Sequence, residues 1–358
     1  MARHKVAAIG GDGIGQEVIA AGLEVLAALG AREPGLELEV TSFDWGSALY
    51  RQTGRMMPED GLEQLKRFDA IYFGAVGAPD IPDHVTLWGL RLAICQGFDQ
   101  YANVRPARLL RGVSGPLQGV GPADLDWVVV RENTEGEYAG AGGRVHRGLP
   151  EEVGIEAAIF TRAGCARIMR FAFELARTRP KRQLTLVTKS NAQRHGMVLW
   201  DEVFAEVAKG FPEVRTDKEL VDAMTTRMVL KPKTLDVIVA TNLHADILSD
   251  LASALSGSLG LGPTANLNPE RKFPSMFEPI HGSAFDITGK GVANPIASFW
   301  SAALMLDHLG EPDAAARLMG AIERTLAAGD LLPRDLGGSA TTAEITQRVC
   351  GLLRGANL

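Results

Sequence analysis

The feature that most constrains this fold is a repeated alternation of short apolar bursts with stretches of helical periodicity. Residues 6–9 lead into 16–29, residues 36–43 follow, and 68–73 lead into 87–94. Bursts that feed amphipathic helices point to parallel strands in an α/β architecture. The rhythm breaks once. Residues 125–131 and 156–160 read as strands separated only by a loop rich in glycine (Gly136, Gly140, Gly142, Gly143, Gly148). A mixed sheet is expected there. The alternation resumes with helix 163–177, strand 183–188, helix 197–209, strands 213–221 and 235–240, and a helix bearing Asp246 and Asp250. Between Gly257 and Gly289 the chain reads as loop, with Pro263, Pro269, Pro274 and Pro279, before three final helical patterns. A chain of 358 residues can hold two domains, or one large α/β unit with a split core.

Composition narrows the function classes. The net charge of −6 is spread among mixed charges with no long basic tract, so nucleic acid is not an expected partner. Cys95, Cys165 and Cys350 are scattered and lack CxxC spacing, which indicates neither a disulfide framework nor a zinc site and fits a reduced cytoplasmic compartment. The apolar run before Gly10 is too short for a signal peptide, and no segment supplies about 18 uninterrupted apolar residues. No membrane association is expected.

Asp246 and Asp250 stand four apart in a helix-compatible run, so their carboxylates share one face a turn apart. Like charges so placed repel, and a hard divalent metal between them would offset the cost. A solvated acidic face is the plainer alternative. The turn Gly10-Gly11-Asp12-Gly13-Ile14-Gly15 is a poor dinucleotide fingerprint, because Gln16 occupies the third glycine's place. A second loop, from Phe277 to Pro295, is denser in small residues and donors. There Gly282, Ser283 and Ala284 would let a ligand approach the backbone, and Asp286 could accept from two ribose hydroxyls.

Three expected strand ends carry polar groups: Arg131 to Tyr138, Lys189 to Asn191, and Asp222. Ligands gather beyond the carboxyl ends of parallel strands, and Tyr138 and Lys189 are suited to proton transfer. Arg91, Arg105 and Arg131 offer planar forks for carboxylates, and a di-acid substrate needs more than one.

Taken in register, the Gly11–Gly15 turn, Asn103-Val104-Arg105-Pro106, the segment Arg131 to Tyr138, Lys189-Ser190-Asn191, the Asp246/Asp250 helix and the His281-Gly282-Ser283 loop resemble the metal-dependent, β-decarboxylating 2-hydroxyacid dehydrogenases, which include isopropylmalate and isocitrate dehydrogenases. The resemblance covers essentially the whole chain. Asp44-Trp45-Gly46 and the stretches 72–77, 82–89 and 98–101 look most like the branch acting on tartrate and D-malate. The resemblance implies an α/β, two-domain isopropylmalate/isocitrate dehydrogenase fold with a large mixed twisted sheet, distinct from the Rossmann fold. Residues 1–102 and 263–358 would form the cofactor-binding domain, and 103–262 the substrate, metal and dimerisation domain. It further implies a homodimer whose site lies in the interdomain cleft and borrows Lys189 and Asp222 from the partner subunit.

Carried over by resemblance, Asp222, Asp246 and Asp250 bind Mg²⁺ or Mn²⁺, Arg105 and Arg131 hold a small hydroxy di-acid, and Lys189 and Tyr138 transfer protons. Glu278, His281, Gly282, Ser283, Ala284, Asp286, Ile287, Asn294 and Asn191 would serve NAD, with Asp286 disfavouring a 2′-phosphate. A monovalent cation such as K⁺ is a further candidate. Expected chemistry is NAD-dependent oxidation of tartrate, with oxidative decarboxylation of D-malate and meso-tartrate. The alternatives are a D-malate or 3-isopropylmalate specialist and a catalytically silent NAD-binding subunit. Two positions depart from the pattern. Cys95 stands where many relatives have an arginine, with Arg91 a helical turn earlier and expected on nearly the same face, and Phe285 replaces the usual loop proline.

Overall fold

The computed structural model describes residues 2–33 and 35–355. Among the described residues, ten strands make up the main mixed sheet, five in each of two compact units. The first unit comprises Met1–Gln100, Arg108–Ala123 and Ser253–Leu358. Its strands run in the order Leu36–Phe43, Ala2–Gly11, Ala70–Ala75, Ser275–Pro279, Pro263–Leu267. The first four are parallel and the last is antiparallel to its neighbour. Every residue of Ala70–Ala75 is buried, as an apolar run covered on both faces must be. Ile9, Phe73, Ile94, Phe98 and Met276 meet in one apolar cluster of this unit.

Strands 263–267 and 275–279 lie where only loop was expected. Their prolines sit at the paired ends, Pro263 opposite Pro279, where a missing N–H costs least. The expected helix 87–94 is part of a longer helical run, Asp83–Thr86, Leu87–Arg91 and Leu92–Gly97, whose middle segment is a π turn.

The second unit comprises Tyr101–Ala107 and Asp124–Ala252. Its strand order is Ala102–Arg108, Asp126–Glu132, Val237–Ala240, Gln183–Thr188, Arg215–Leu220. Helices Arg162–Thr178 and Gly196–Ala208 pack together through Phe173, whose ring lies 5.2 Å from Phe204. Thr161 caps the first of them by accepting the Gly164 N–H.

The glycine-rich loop expected after residue 131 instead contains strand Gly136–Val145, which pairs antiparallel with Val153–Ile159, the strand expected at 156–160, in a two-stranded sheet separate from the main one. A β-carbon at Gly142 would lie 2.1 Å from the Ile155 carbonyl oxygen, so glycine is what lets the two strands approach. Glycine's poor strand propensity hid the hairpin from a periodicity reading. Helix Val221–Leu230, which directly follows strand Arg215–Leu220, was likewise not expected. Among the described residues no helix is long and apolar enough to cross a membrane, and the three cysteines are buried and unbridged.

Candidate active site

In the second unit, Arg105 projects from strand Ala102–Arg108, Arg131 from the end of Asp126–Glu132, Tyr138 from the hairpin, and Asp246 from helix Asn242–Leu255. The first three converge on the Asp246 carboxylate. It accepts from Arg131 Nη1, from Arg105 Nη1 at 3.3 Å and from the Tyr138 hydroxyl at 3.3 Å. The arginines are held by neutral partners. Arg131 donates through Nε and Nη2 to Asn242 Oδ1 at 3.0 and 2.6 Å, and Arg105 donates to Ser249 Oγ at 2.7 Å. Tyr138 also lies under the Arg131 guanidinium, 5.3 Å from ring centre to cation. Tyr138 therefore stands within the hairpin rather than at the strand end expected for it.

Asp250, one turn beyond Asp246, has its carboxyl pushed up, chiefly by burial; the Asp246 charge adds to this while Arg105 and Arg131 oppose it. Much of the residue still faces solvent, which screens these effects. Two hard carboxylates on one helix face, one of them already disfavoured in its charged form, suit a divalent cation. Within one chain, however, Asp222 does not join them. Lys189, just after strand Gln183–Thr188, donates to Asp222 Oδ1 at 2.7 Å, and this bond is the main cause holding the Asp222 carboxyl below its ordinary range. Among the described residues of a single chain, no three carboxylate, imidazole or thiolate groups could hold a metal ion. Lys189 and Asp222 are thus brought to each other.

Several residues here were not singled out in the sequence. Glu137 accepts from Thr241 Oγ1 at 2.9 Å and from the Leu243 N–H at 3.1 Å, fixing the start of the aspartate helix. Asn242 offered a cue, since asparagine at a strand-to-helix junction suggests a cap, but that cue does not reveal its hold on Arg131. His244 is buried with Nδ1 unpartnered, and burial lowers its pKa.

Glu132 accepts from the Glu135 N–H at 2.7 Å, the Thr134 N–H at 3.1 Å and Thr134 Oγ1 at 3.0 Å, yet burial outweighs these bonds and pushes its carboxyl up to about 7. A folded value above the unfolded one means folding favours the protonated form. Its contribution to stability is full below the unfolded value and is lost as pH rises through about 7. Glu132→Gln is therefore expected to gain about 2–3 kcal/mol relative to the parent protein between pH 5 and pH 8. Denaturant melts of both proteins at the two pH values check this, and a pH-independent difference would contradict it.

In the first unit, the loop that follows strand Ser275–Pro279 carries His281 to Asn294. His281 Nε2 and Ser283 Oγ are buried and without partners, the condition of groups suited to a polar ligand such as a dinucleotide. Burial holds the His281 pKa down. Asn294 is fixed at both ends, donating to Asp335 at 2.9 Å and accepting the Ile296 N–H at 3.0 Å. Ala284 has a left-handed backbone (φ 42°), Ile287 donates its N–H to the Ala284 carbonyl, and Phe285, Asp286 and Gly282 are exposed. Asn191 belongs to the second unit and is exposed. Glu278 is engaged by Arg91, whose Nη2 lies 2.7 Å from Glu278 Oε1. Cys95 packs in the apolar cluster of this unit, while Arg91 reaches Glu278.

The early glycine turn seats this loop. The Ile14 N–H donates to the Ser283 carbonyl at 2.8 Å, and a β-carbon at Gly13, whose φ is 56°, would lie 2.0 Å from that oxygen. Asp12 anchors the turn by accepting from Ser47 N–H and Oγ, both at 2.7 Å, and from the Gly77 N–H at 2.9 Å. Gly13→Ala should destabilise the protein by about 2–4 kcal/mol through backbone strain and the clash. Thermal melting tests this; an unchanged melting point would refute it.

Residues 5–349 match the isocitrate/isopropylmalate dehydrogenase family. The chain is 69% identical to a probable tartrate dehydrogenase/decarboxylase of Agrobacterium vitis, over 100% of both proteins. It is 50% identical to the D-malate dehydrogenase (decarboxylating) of Escherichia coli strain K12, over 99% of each. Among solved structures it resembles an isocitrate dehydrogenase from Methylococcus capsulatus with a TM-score of 0.88 and 35% identity, covering 98% of this chain and 99% of the other. Family profile, relatives and fold agree along the whole length, and the chain belongs to the isocitrate/isopropylmalate dehydrogenase family.

Proposed function

We propose that this protein is an NAD- and divalent-metal-dependent dehydrogenase that oxidises tartrate and oxidatively decarboxylates D-malate and meso-tartrate. The observation that carries this reading is the pair of buried arginines, Arg105 and Arg131, converging with Tyr138 on Asp246. Two buried guanidinium forks beside a carboxylate pair that a divalent cation would neutralise suit the capture of a small di-acid. Relatives named for tartrate and D-malate support the substrate class. The 3-isopropylmalate alternative lacks such support among these relatives.

Asp246 and Asp250 would hold the cation together with Asp222 of the partner subunit, in a cytoplasmic homodimer. When bound, Mg²⁺ or Mn²⁺ lowers the pKa of the substrate hydroxyl and stabilises the charge that develops as CO₂ leaves. The His281 to Asn294 loop, with Glu278 and Asn191, would hold NAD, which would supply the hydride acceptor. Asp286 would repel a 2′-phosphate, favouring NAD over NADP. Arg105 and Arg131 grip the two carboxylates, and Arg91 serves the substrate's variable end. Lys189 of the partner subunit removes the hydroxyl proton, and Tyr138 returns a proton to carbon after decarboxylation.

A panel of tartrate isomers, D-malate and 3-isopropylmalate with NAD and Mn²⁺, scored for NADH and CO₂, tests the reading. Tartrate and D-malate should be oxidised with higher kcat/KM than the isopropyl substrate. The reverse preference would refute it.

A further inference from the structure

We propose that Arg91 is a positioning residue for Glu278, and that this buried pair makes the binding of dinucleotide and hydroxy acid interdependent. The inference rests on the functional reading above, in which Arg91 faces the hydroxy acid and Glu278 the cofactor. Arg91 closes the π turn Leu87–Arg91, a helical irregularity of the sort that often marks function. Its Nε donates to Glu278 Oε1 at 2.9 Å, and its Nη2 lies 2.7 Å from the same oxygen. Asn266 completes the knot: its Nδ2 donates to Glu278 Oε1 at 2.7 Å and its Oδ1 accepts from Arg91 Nη2 at 3.3 Å. The Arg91 and Glu278 side chains are only 11% and 6% exposed.

Glu278 lies on the strand that runs into the His281 loop, so whatever holds Glu278 acts on the cofactor side. A buried ion pair broken from one side leaves an uncompensated charge, so a carboxylate that draws on Arg91 must alter its hold on Glu278. By linkage, a dinucleotide that engages Glu278 then alters Arg91 to the same degree.

The test uses the full-length enzyme with Arg91→Gln, Glu278→Gln, the double variant, and Arg91→Lys, which keeps the charge but not the planar fork. NADH dissociation constants are read from nicotinamide fluorescence, and KM values for D-malate from initial rates. Each single glutamine variant should weaken NADH binding about five- to twentyfold, with the double variant no weaker than the worse single. Arg91→Lys should fall between wild type and Arg91→Gln, and D-malate KM should rise in Glu278→Gln as well as in Arg91→Gln. An Arg91→Gln or Arg91→Lys protein with unchanged NADH affinity, or losses that multiply in the double variant, would overturn the proposal. The NADH arm needs no turnover. A wild-type enzyme that binds NADH but oxidises neither tartrate nor D-malate would therefore sink the functional reading alone.

Discussion

Asp246→Asn is expected to lower kcat/KM for tartrate at least about a thousandfold, equivalent to roughly 4 kcal/mol of transition-state stabilisation. The substitution keeps the shape of the side chain and removes its charge. In the folded chain that charge is the common acceptor for Arg131, Arg105 and Tyr138. Asparagine would present an amide donor to at least one donor already there, and the cation would lose a carboxylate from its holder. A bound metal supplies several kcal/mol of charge stabilisation in such reactions, so a loss of this size follows. The half-saturating Mn²⁺ concentration should rise in parallel. Unaltered turnover and Mn²⁺ dependence in this variant would remove Asp246 from the mechanism.

Lys189→Ala is expected to lower kcat by about 10²–10⁴, the range for loss of a positioned proton acceptor. Lys189 is part-buried and its partner Asp222 is largely exposed, so the pair contributes little to folding and the variant should fold normally. KM for NAD should change little, because the side chain is proposed to act on the hydroxyl proton. Initial rates across pH decide the matter. A wild-type pH profile retained at full kcat would exclude Lys189 as the base.

Much of this molecule is readable before folding, for identifiable reasons. The parallel strands announce themselves because burial on both faces demands apolar runs such as Ala70–Ala75. Asp246 and Asp250 could be placed on one helix face from spacing alone. Arg105 and Arg131 suggested carboxylate capture by residue type, and their convergence on Asp246 required the fold. Other features leave no local trace. The first hairpin strand, Gly136–Val145, is glycine-rich and has no apolar alternation to signal it, although its partner Val153–Ile159 overlaps the strand read at 156–160. The contact of Arg91 with Glu278 joins positions 187 residues apart, and neither residue type foretells the other. Gly13 illustrates a third case: its conformation is suggested by the glycine, while its close approach to Ser283 is purely tertiary.

Lys189 and Asp222 pair with each other, and among the described residues of one chain no three carboxylate, imidazole or thiolate groups could hold a metal ion, so the proposed site draws both residues from a partner subunit. The direct measurement is complementation: Lys189→Ala and Tyr138→Phe proteins, each expected to be nearly inactive in decarboxylating D-malate, are unfolded, mixed in equal amounts and refolded so that subunits redistribute. If the active site is shared, each heterodimer contains one site with Tyr138 from one subunit and Lys189 from the other. Activity should then return to about a quarter of wild type, from half the dimers with half their sites intact. A mixture no more active than its components, despite demonstrated heterodimers, would show that Lys189 serves its own chain and would contradict the account.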